Sequence, residues 1–372
     1  MRYYIIAGEA SGDLHAANLM KEIRDQDANA AFRCWGGDRM QMQGGELVKH
    51  YRETAYMGFT DVFLHLGRIW NLIRRCKRDI LSYHPDVLIL VDYPGFNLRI
   101  AEFAHKKGFR VVYYISPQVW AWKLSRVKTI RSFVDRMYVI LPFEEDFYYR
   151  HGYRVEYVGH PLLDALDEKP YGETTSFRST HSLDERPVVA LLPGSRKQEV
   201  KRILPTLLSV IPYFTDYQFV ISGLSSLTPR FYQKLIQKAQ VKIVFDRPND
   251  LLKNATAALV TSGTATLETA LYGIPQVICY RGEAISYRIA KRLIRVPYIG
   301  LVNLILEKEA VRELIQRDLN TGNLVAELNQ ILPDGKKHQQ ILGDYQLLRA
   351  KLGGRGASAR AAGLICQYMN GI

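Results

Sequence analysis

Four cysteines in 372 residues, Cys34, Cys76, Cys279 and Cys366, stand far apart, and none forms a C-x-x-C pair. That spacing offers neither a zinc site nor a disulfide framework, so reduced thiols of a cytoplasmic protein are expected. No G-x-x-x-x-G-K-[ST] sequence occurs, which excludes a P-loop ATPase. No apolar run approaches the ~20 residues that span a bilayer. The N-terminal MRYYIIAGEASGD reaches an acid after too short an apolar core for a secretion signal. Low-complexity tracts and solenoid repeats are missing as well. Acids are the scarcer charge, 37 Asp and Glu against 50 Lys and Arg, for a formal net charge of +13. Such an excess points to an anionic partner: nucleic acid, an anionic membrane surface or phosphorylated substrates. No recognised nucleic-acid motif accompanies it, and nucleic acid is not expected as a partner.

What is present is a βαβ rhythm, played twice. In the first half RYYIIA (2–7), VLILVD (87–92), RVVYYIS (110–116) and RMYVIL (136–141) are nearly continuous apolar runs, as in strands buried on both faces. Helical patterns at 14–24, 68–81, 98–107 and 125–133 follow or separate them. Residues 165–186 are polar and without periodicity, which predicts a linker. PVVALLP (187–193), QFVISG (218–223), VKIVF (241–245), AALVTS (257–262) and PQVICY (275–280) then restart the pattern. The fold class is α/β, with two Rossmann-like domains, 1–164 and 187–355, and a terminal helix at 356–372 that crosses back to the first domain. Two domains of similar size suggest the glycosyltransferase-B architecture, although other two-domain Rossmann arrangements fit the same pattern. Ligands are expected beyond the carboxyl ends of the strands, in the cleft between the domains.

Three turns carry the chemistry. In LLPGSRKQEV (191–200) a Pro-Gly-Ser turn joins strand to helix; its N–H groups can face an anion and Arg196 adds a fixed charge for diphosphate. A plain strand-to-helix turn is the other reading. In TSGTATLETALYGIP (261–275), small residues let a phosphate approach the backbone, and Ser262 and Thr264 offer hydroxyls around Gly263. Glu268, a turn into the helix, is placed to accept both hydroxyls of a ribose, or simply to favour the helix N-terminus. The third turn, AGEASGD (7–13), has the outline of a phosphate loop but holds Glu9 and Asp13, which repel phosphate. Asp25-Gln26-Asp27 matches a D-x-D metal pattern but falls in a polar turn, so no metal is expected.

Taken in order, GEASGD, VDYPGFN, SPQVWAW, LPFE, VGHP, LLPGSR, SGTATLE and VNLI resemble the lipid-A-disaccharide synthases across nearly the whole chain. The resemblance implies an inverting, metal-independent glycosyltransferase of glycosyltransferase-B fold with no cofactor. Such an enzyme joins UDP-2,3-diacylglucosamine to 2,3-diacylglucosamine 1-phosphate, releasing UDP and the β-1,6 disaccharide precursor of lipid A. It further implies that Arg196, Ser262, Gly263, Thr264 and Glu268 belong to the UDP site and that Asn303, in VNLI, lies near UDP. The alternative on the same scaffold is an isomerase like UDP-N-acetylglucosamine 2-epimerase.

An inverting transfer needs a base for the attacking hydroxyl. Asp92, which closes the strand VLILVD, ranks first, Glu9 second and Asp13 third, with His15 able to orient or shuttle a proton. Family members often carry D-x-P-D here; the second acid's position is Gly95, so its role moves to Asp92 or to the 9–15 turn. Lipid substrates require a membrane face. RIWNLIRRCKRDIL (68–81) interleaves Trp70 and Ile73 with Arg74, Arg75, Lys77 and Arg78, and YMGFTDVFLHLG (56–67) before it is apolar. A basic amphipathic helix of this kind can lie among anionic headgroups at the cytoplasmic face of the inner membrane. Trp120 and Trp122 fit either a core or a sugar-stacking role. A homodimer is left open.

Overall fold

The computed structural model describes residues 1–53, 66–122, 124–166, 174–237, 239–283, 287 and 296–371. The apolar stretch 56–65 lies outside them, as do the side chains of Arg68 and Trp122. The chain divides into two compact units, Met1–Leu166 with Leu352–Ile372, and Asp167–Lys351.

Unit 1 is built on a seven-stranded sheet of β1 (Arg2–Ala7), β2 (Ala31–Gly36), β3 (Glu46–His50), β4 (Val87–Val91), β5 (Arg110–Tyr114), β6 (Arg136–Val139) and β7 (Glu156–Tyr157). Every pairing is parallel and the order is β3-β2-β1-β4-β5-β6-β7. Because side chains alternate across a strand, β1 feeds two cores. Tyr3, Ile5 and Ala7 face α1 (Ala10–Gln26) and the terminal helix, whereas Tyr4 and Ile6 face α2 (Leu66–Tyr83), α3 (Pro94–Lys106) and α4 (Ser125–Phe133). Burial on both faces is why these strands read as unbroken apolar runs. Strands β2, β3 and β7 escape that rule: Arg33 interrupts β2, the edge strand β3 (ELVKH) is half exposed, and β7 is two residues long.

Unit 2 holds a six-stranded parallel sheet of β8 (Val188–Leu192), β9 (Gln218–Gly223), β10 (Lys242–Phe245), β11 (Ala255–Thr261), β12 (Gln276–Tyr280) and β13 (Glu313–Ile315), in the order β10-β9-β8-β11-β12-β13. Its helices include α5 (Lys197–Leu208) after β8 and α6 (Thr264–Leu271) after β11. The polar stretch read as linker contains a short helix, Thr174–Thr180, which puts Phe177 into this unit's core.

The terminal helix α7 (Ala357–Asn370) belongs to unit 1. Ala361, Ala362 and Ile365 pack fully buried with Ala16, Leu19 and Ile23 of α1. Its free N–H groups are met by Asp164, whose carboxylate accepts from Gly356 at 2.6 Å and Ser358 at 3.0 Å. No helix among the described residues is long and apolar enough to cross a membrane.

Both sheets change direction of growth at one place. The chain lays down β1, β2 and β3 outward on one side, then restarts with β4 on the other side of β1; in unit 2, β8 and β11 do the same. The crevice beyond the carboxyl ends of such a strand pair is where open α/β sheets bind ligands.

Candidate active site

The switch point of unit 1 is framed by Gly8-Glu9 after β1 and Asp92-Tyr93 after β4. Asp92 and Tyr93 both have positive φ, +44° and +51°, a conformation disfavoured for side-chain-bearing residues. The Tyr93 ring lies where a Cβ on Gly8 would sit, 2.2 Å from its Cγ, so only glycine fits at Gly8. Half-buried Asp92 accepts from the Tyr93 N–H, and no ion pair meets its carboxylate among the described residues. Its pKa is pushed up to about 6, mainly by burial, then by the negative field of Glu9, against a lowering by the Tyr93 N–H. Glu9 is exposed at the start of α1 and does not cap it with its side chain. Gly95, the second residue of α3, is exposed with open space around its α-carbon.

Asp13 must be corrected as a base candidate. It is 2% exposed, and its carboxylate accepts from the backbone N–H groups of Gly37 (2.7 Å), Arg39 (3.1 Å) and Met40 (3.2 Å). It therefore caps the short helix Asp38–Met42 rather than facing the crevice. His15 is also turned inward: burial lowers its pKa to about 4 against the opposing charge of Asp164, which keeps the ring neutral. Neighbouring His160 of VGHP is held lower still, to about 3, mainly by burial.

In unit 2 the two sequence turns are the two lips of the switch point. Leu192 ends β8 and leads into Pro-Gly-Ser-Arg; Thr261 ends β11 and leads into Ser-Gly-Thr. Two N–H groups of the first turn are already taken up, contrary to the sequence reading. Glu199 folds back so that one carboxylate oxygen accepts from Ser195 and Arg196, each at 3.2 Å. Gly194, at φ +119°, makes room: a Cβ there would lie 2.8 Å from that oxygen. The Arg196 side chain is left 73% exposed, with only a 3.8 Å ion pair to Glu199.

Across the crevice, Gly263 is the N-cap residue of α6, Thr264 is exposed, and the Ser262 hydroxyl donates to the Ile299 carbonyl at 3.3 Å. Glu268 is half-buried, its pKa raised by burial alone, and no hydrogen-bond or ion-pair partner meets it among the described residues. A carboxylate so placed has its acceptor capacity available for sugar hydroxyls. Asn303 is the second correction. It is fully buried, its amide donating to Val311 O (2.8 Å) and Glu313 (2.9 Å) and accepting from the Ala310 and Val311 N–H groups. Glu313 in turn accepts from Ile299 and Gly300. Asn303 thus supports the loop beneath Ser262 and presents nothing to a ligand directly.

The basic helix α2 separates cleanly by helical spacing. Ile73, Cys76 and Ile80 are core, so Ile73 is corrected from a membrane to a packing residue. Trp70 (60% exposed), Arg74, Arg78 and Leu81 form the outward stripe. A concavity of about 540 Å³ on this helix is lined by Asn71, Arg74, Lys77 and Arg78. Arg75 is exposed and donates to Val48 O at 3.3 Å.

One residue passed over in the sequence is Glu144 of LPFE. It is 1% exposed at the carboxyl side of β6, and burial pushes its pKa up to about 7 against its hydrogen bonds. It accepts from Trp120 Nε1 (3.2 Å) and Leu141 N–H (3.0 Å), tying SPQVWAW to LPFE and making Trp120 a core residue. The available signal was an acid closing an otherwise apolar run.

Two Rossmann-like units, each a parallel sheet with a topological switch point, define the class of glycosyltransferase-B folds. Solved structures with that fold include the UDP-GlcNAc 2-epimerase of Neisseria meningitidis bound to UDP-GlcNAc, with a TM-score of 0.71 at 12% identity over 99% of this chain and 100% of that one. The glycotransferase of kitacinnamycin aligns with a TM-score of 0.66 at 13% identity over 98% of both chains. At such identities the likeness shows the fold alone. Residues 3–366 match the family described as lipid-A-disaccharide synthetase. The lipid-A-disaccharide synthase of Geobacter sulfurreducens is 39% identical over 99% of this chain and 97% of its own length. That of Syntrophus aciditrophicus is 41% identical over 96% and 95%. The chain belongs to the lipid-A-disaccharide synthetase family.

Proposed function

We propose that this chain transfers 2,3-diacylglucosamine from its UDP derivative to 2,3-diacylglucosamine 1-phosphate, forming the β-1,6 disaccharide and UDP. The observation that carries the reading is the place of Asp92, a half-buried carboxylate on a left-handed turn at the β1/β4 switch point of unit 1, with its pKa pushed up mainly by burial. Family membership supports the substrate pair. Asp92 takes the proton of the acceptor 6-hydroxyl as its oxygen attacks the anomeric carbon from the face opposite the diphosphate. The bond to the diphosphate breaks, and its electron pair leaves on UDP. Arg196 and the N-terminus of α6 meet that charge, and Glu268 holds the ribose. Glu9 keeps Asp92 basic enough to act near neutrality. In the assay that tests this, UDP forms only when the acylated acceptor is present. UDP release independent of acceptor, or epimerisation of a UDP-sugar without it, would overturn the reading.

The lipid substrates are reached from the cytoplasmic face of the inner membrane through α2. Trp70 and Leu81 enter the headgroup region while Arg74, Arg75 and Arg78 face anionic lipid, each worth roughly 1 kcal/mol. Vesicles containing phosphatidylglycerol are expected to retain the protein at low salt and release it as salt rises. The pair Arg74→Glu with Arg78→Glu should abolish retention while leaving turnover on detergent-dispersed substrates in place. Undiminished vesicle binding by that pair would reject α2 as the membrane face.

A further inference from the structure

The strained turn at Asp92 is held from three directions. Asn97, in the first turns of α3, is fully buried, and its amide donates to the carbonyls of Asp92 (2.7 Å) and Val91 (3.2 Å) on β4 and reaches Ile6 O on β1 at 3.4 Å. The side chain therefore pins both lips of the crevice with one group. Tyr113, on β5 and also fully buried, donates its hydroxyl to the same Asp92 carbonyl. Tyr93 is locked by its fit over Gly8 and by stacking on Phe96 with ring centroids 5.5 Å apart. Two successive left-handed residues with side chains do not persist unless their surroundings over-determine them. Here the two side-chain donors converge on the one carbonyl whose peptide sets the direction of the Asp92 side chain.

We infer that Asn97 and Tyr113 are positioning residues: by holding the Asp92 carbonyl they fix the left-handed turn that aims the Asp92 carboxylate over the switch-point crevice. The inference rests on the reading of Asp92 as the base. If the turn relaxes, the chain returns to an ordinary strand-to-helix connection and the carboxylate swings away from both the crevice and the field of Glu9. Displacements of about 1 Å at a reacting group lower rates by up to about 100-fold. The groups that set the local field are Glu9 beside Asp92 and, around Tyr113, Tyr148 of the helix Glu144–Arg150, Arg126 of α4 and Arg99 of α3, the last donating to Gly95 O at 2.8 Å.

Tyr113→Phe removes one hydroxyl and keeps the shape. Its expected effect is a fall in kcat of about 10- to 100-fold, with KM for the UDP-sugar unchanged. The acid limb of kcat/KM should move to lower pH as Asp92 becomes better hydrated. Asn97→Ser should do the same more strongly. Wild-type kcat and limb in Tyr113→Phe would overturn the inference. So would a lowered Tm and lowered kcat with an unmoved limb, which marks a purely structural role. Should Tyr113→Phe fail to fold, Asn97→Ser is scored by the same outcomes. Asp92→Asn separates the two levels. If it turns over normally, the base reading fails; if it is inactive while Tyr113→Phe is wild type, only the positioning role fails.

Discussion

Asp92→Asn is expected to lower kcat by about 10²- to 10⁴-fold, the range for losing a positioned general base, while KM for the UDP-sugar stays within a few-fold. The substitution keeps size and removes only the proton acceptor, so the fold and the turns of unit 2 are left intact. The pH profile makes the assignment specific. A base works only when ionised, so kcat/KM should rise through about pH 6, the value at which Asp92 loses its proton, and level off above it. Burial is the main reason that value lies above the usual carboxylate range, and the charge of Glu9 adds to it. A neighbouring anion disfavours a second anion. Glu9→Gln should therefore lower the pKa of Asp92 and move the acid limb to lower pH, with a modest loss of kcat because a weaker base accepts a proton less readily. Gly95 offers no carboxylate, and Glu102, the acid that α3 does hold, is paired with Lys106. Initial rates of UDP release across about pH 5 to 8 report both effects. Wild-type turnover in both Asp92→Asn and Glu9→Gln would reject the base assignments, and an unshifted limb in Glu9→Gln would remove Glu9 from the account.

The central strands were legible because burial on two faces forces continuous apolar runs, and the motifs were legible because each closes such a run. β1, β4, β8 and β11 announce themselves this way, and with them the positions of Glu9, Asp92, Arg196 and Ser262. Of the edge strands only β10 was legible, as VKIVF; half-exposed ELVKH, the two residues of β7 and the three residues Glu313–Ile315 carry no such pattern. Side-chain direction was the other gap. Asp13 lies on α1, but the period of the helix alone does not show that Gly37 and Met40 arrive with unpaired N–H groups from a distant turn. Asn303 and Glu199 were hidden for the same reason. Each is a polar residue in a plausible place whose hydrogen-bond capacity is taken up by backbone donors and acceptors that only the folded chain brings near. The same blindness to non-local partners concealed Asn97, whose importance lies in carbonyls of two strands.

Glu199 sharpens what Arg196 is expected to do. With the Ser195 and Arg196 N–H groups occupied by that carboxylate, the turn resembles an anion site already filled by its own anion. The guanidinium of Arg196, exposed and only loosely paired, is then the part of LLPGSR able to meet a diphosphate, where it can bond two oxygens at once. Charge on the leaving group grows along the reaction, so the contact stabilises the transition state more than the bound substrate. Arg196→Ala is accordingly expected to lower kcat by about 10²- to 10³-fold, as for other single donors aimed at developing charge, with a smaller rise in the Ki of UDP. Arg196→Lys should recover only part of the rate, because an ammonium keeps the charge but not the fork. Glu199→Gln provides the opposite sign. Its amide oxygen can still accept from the turn, yet the negative charge beside the incoming phosphates is gone, so UDP should bind several-fold more tightly. Loss of rate in Arg196→Ala together with tighter UDP binding in Glu199→Gln would place the diphosphate at this turn. Normal turnover and an unchanged Ki in Arg196→Ala would move it to the Ser262-Gly263-Thr264 lip alone, where the N-terminus of α6 would have to carry the charge unaided.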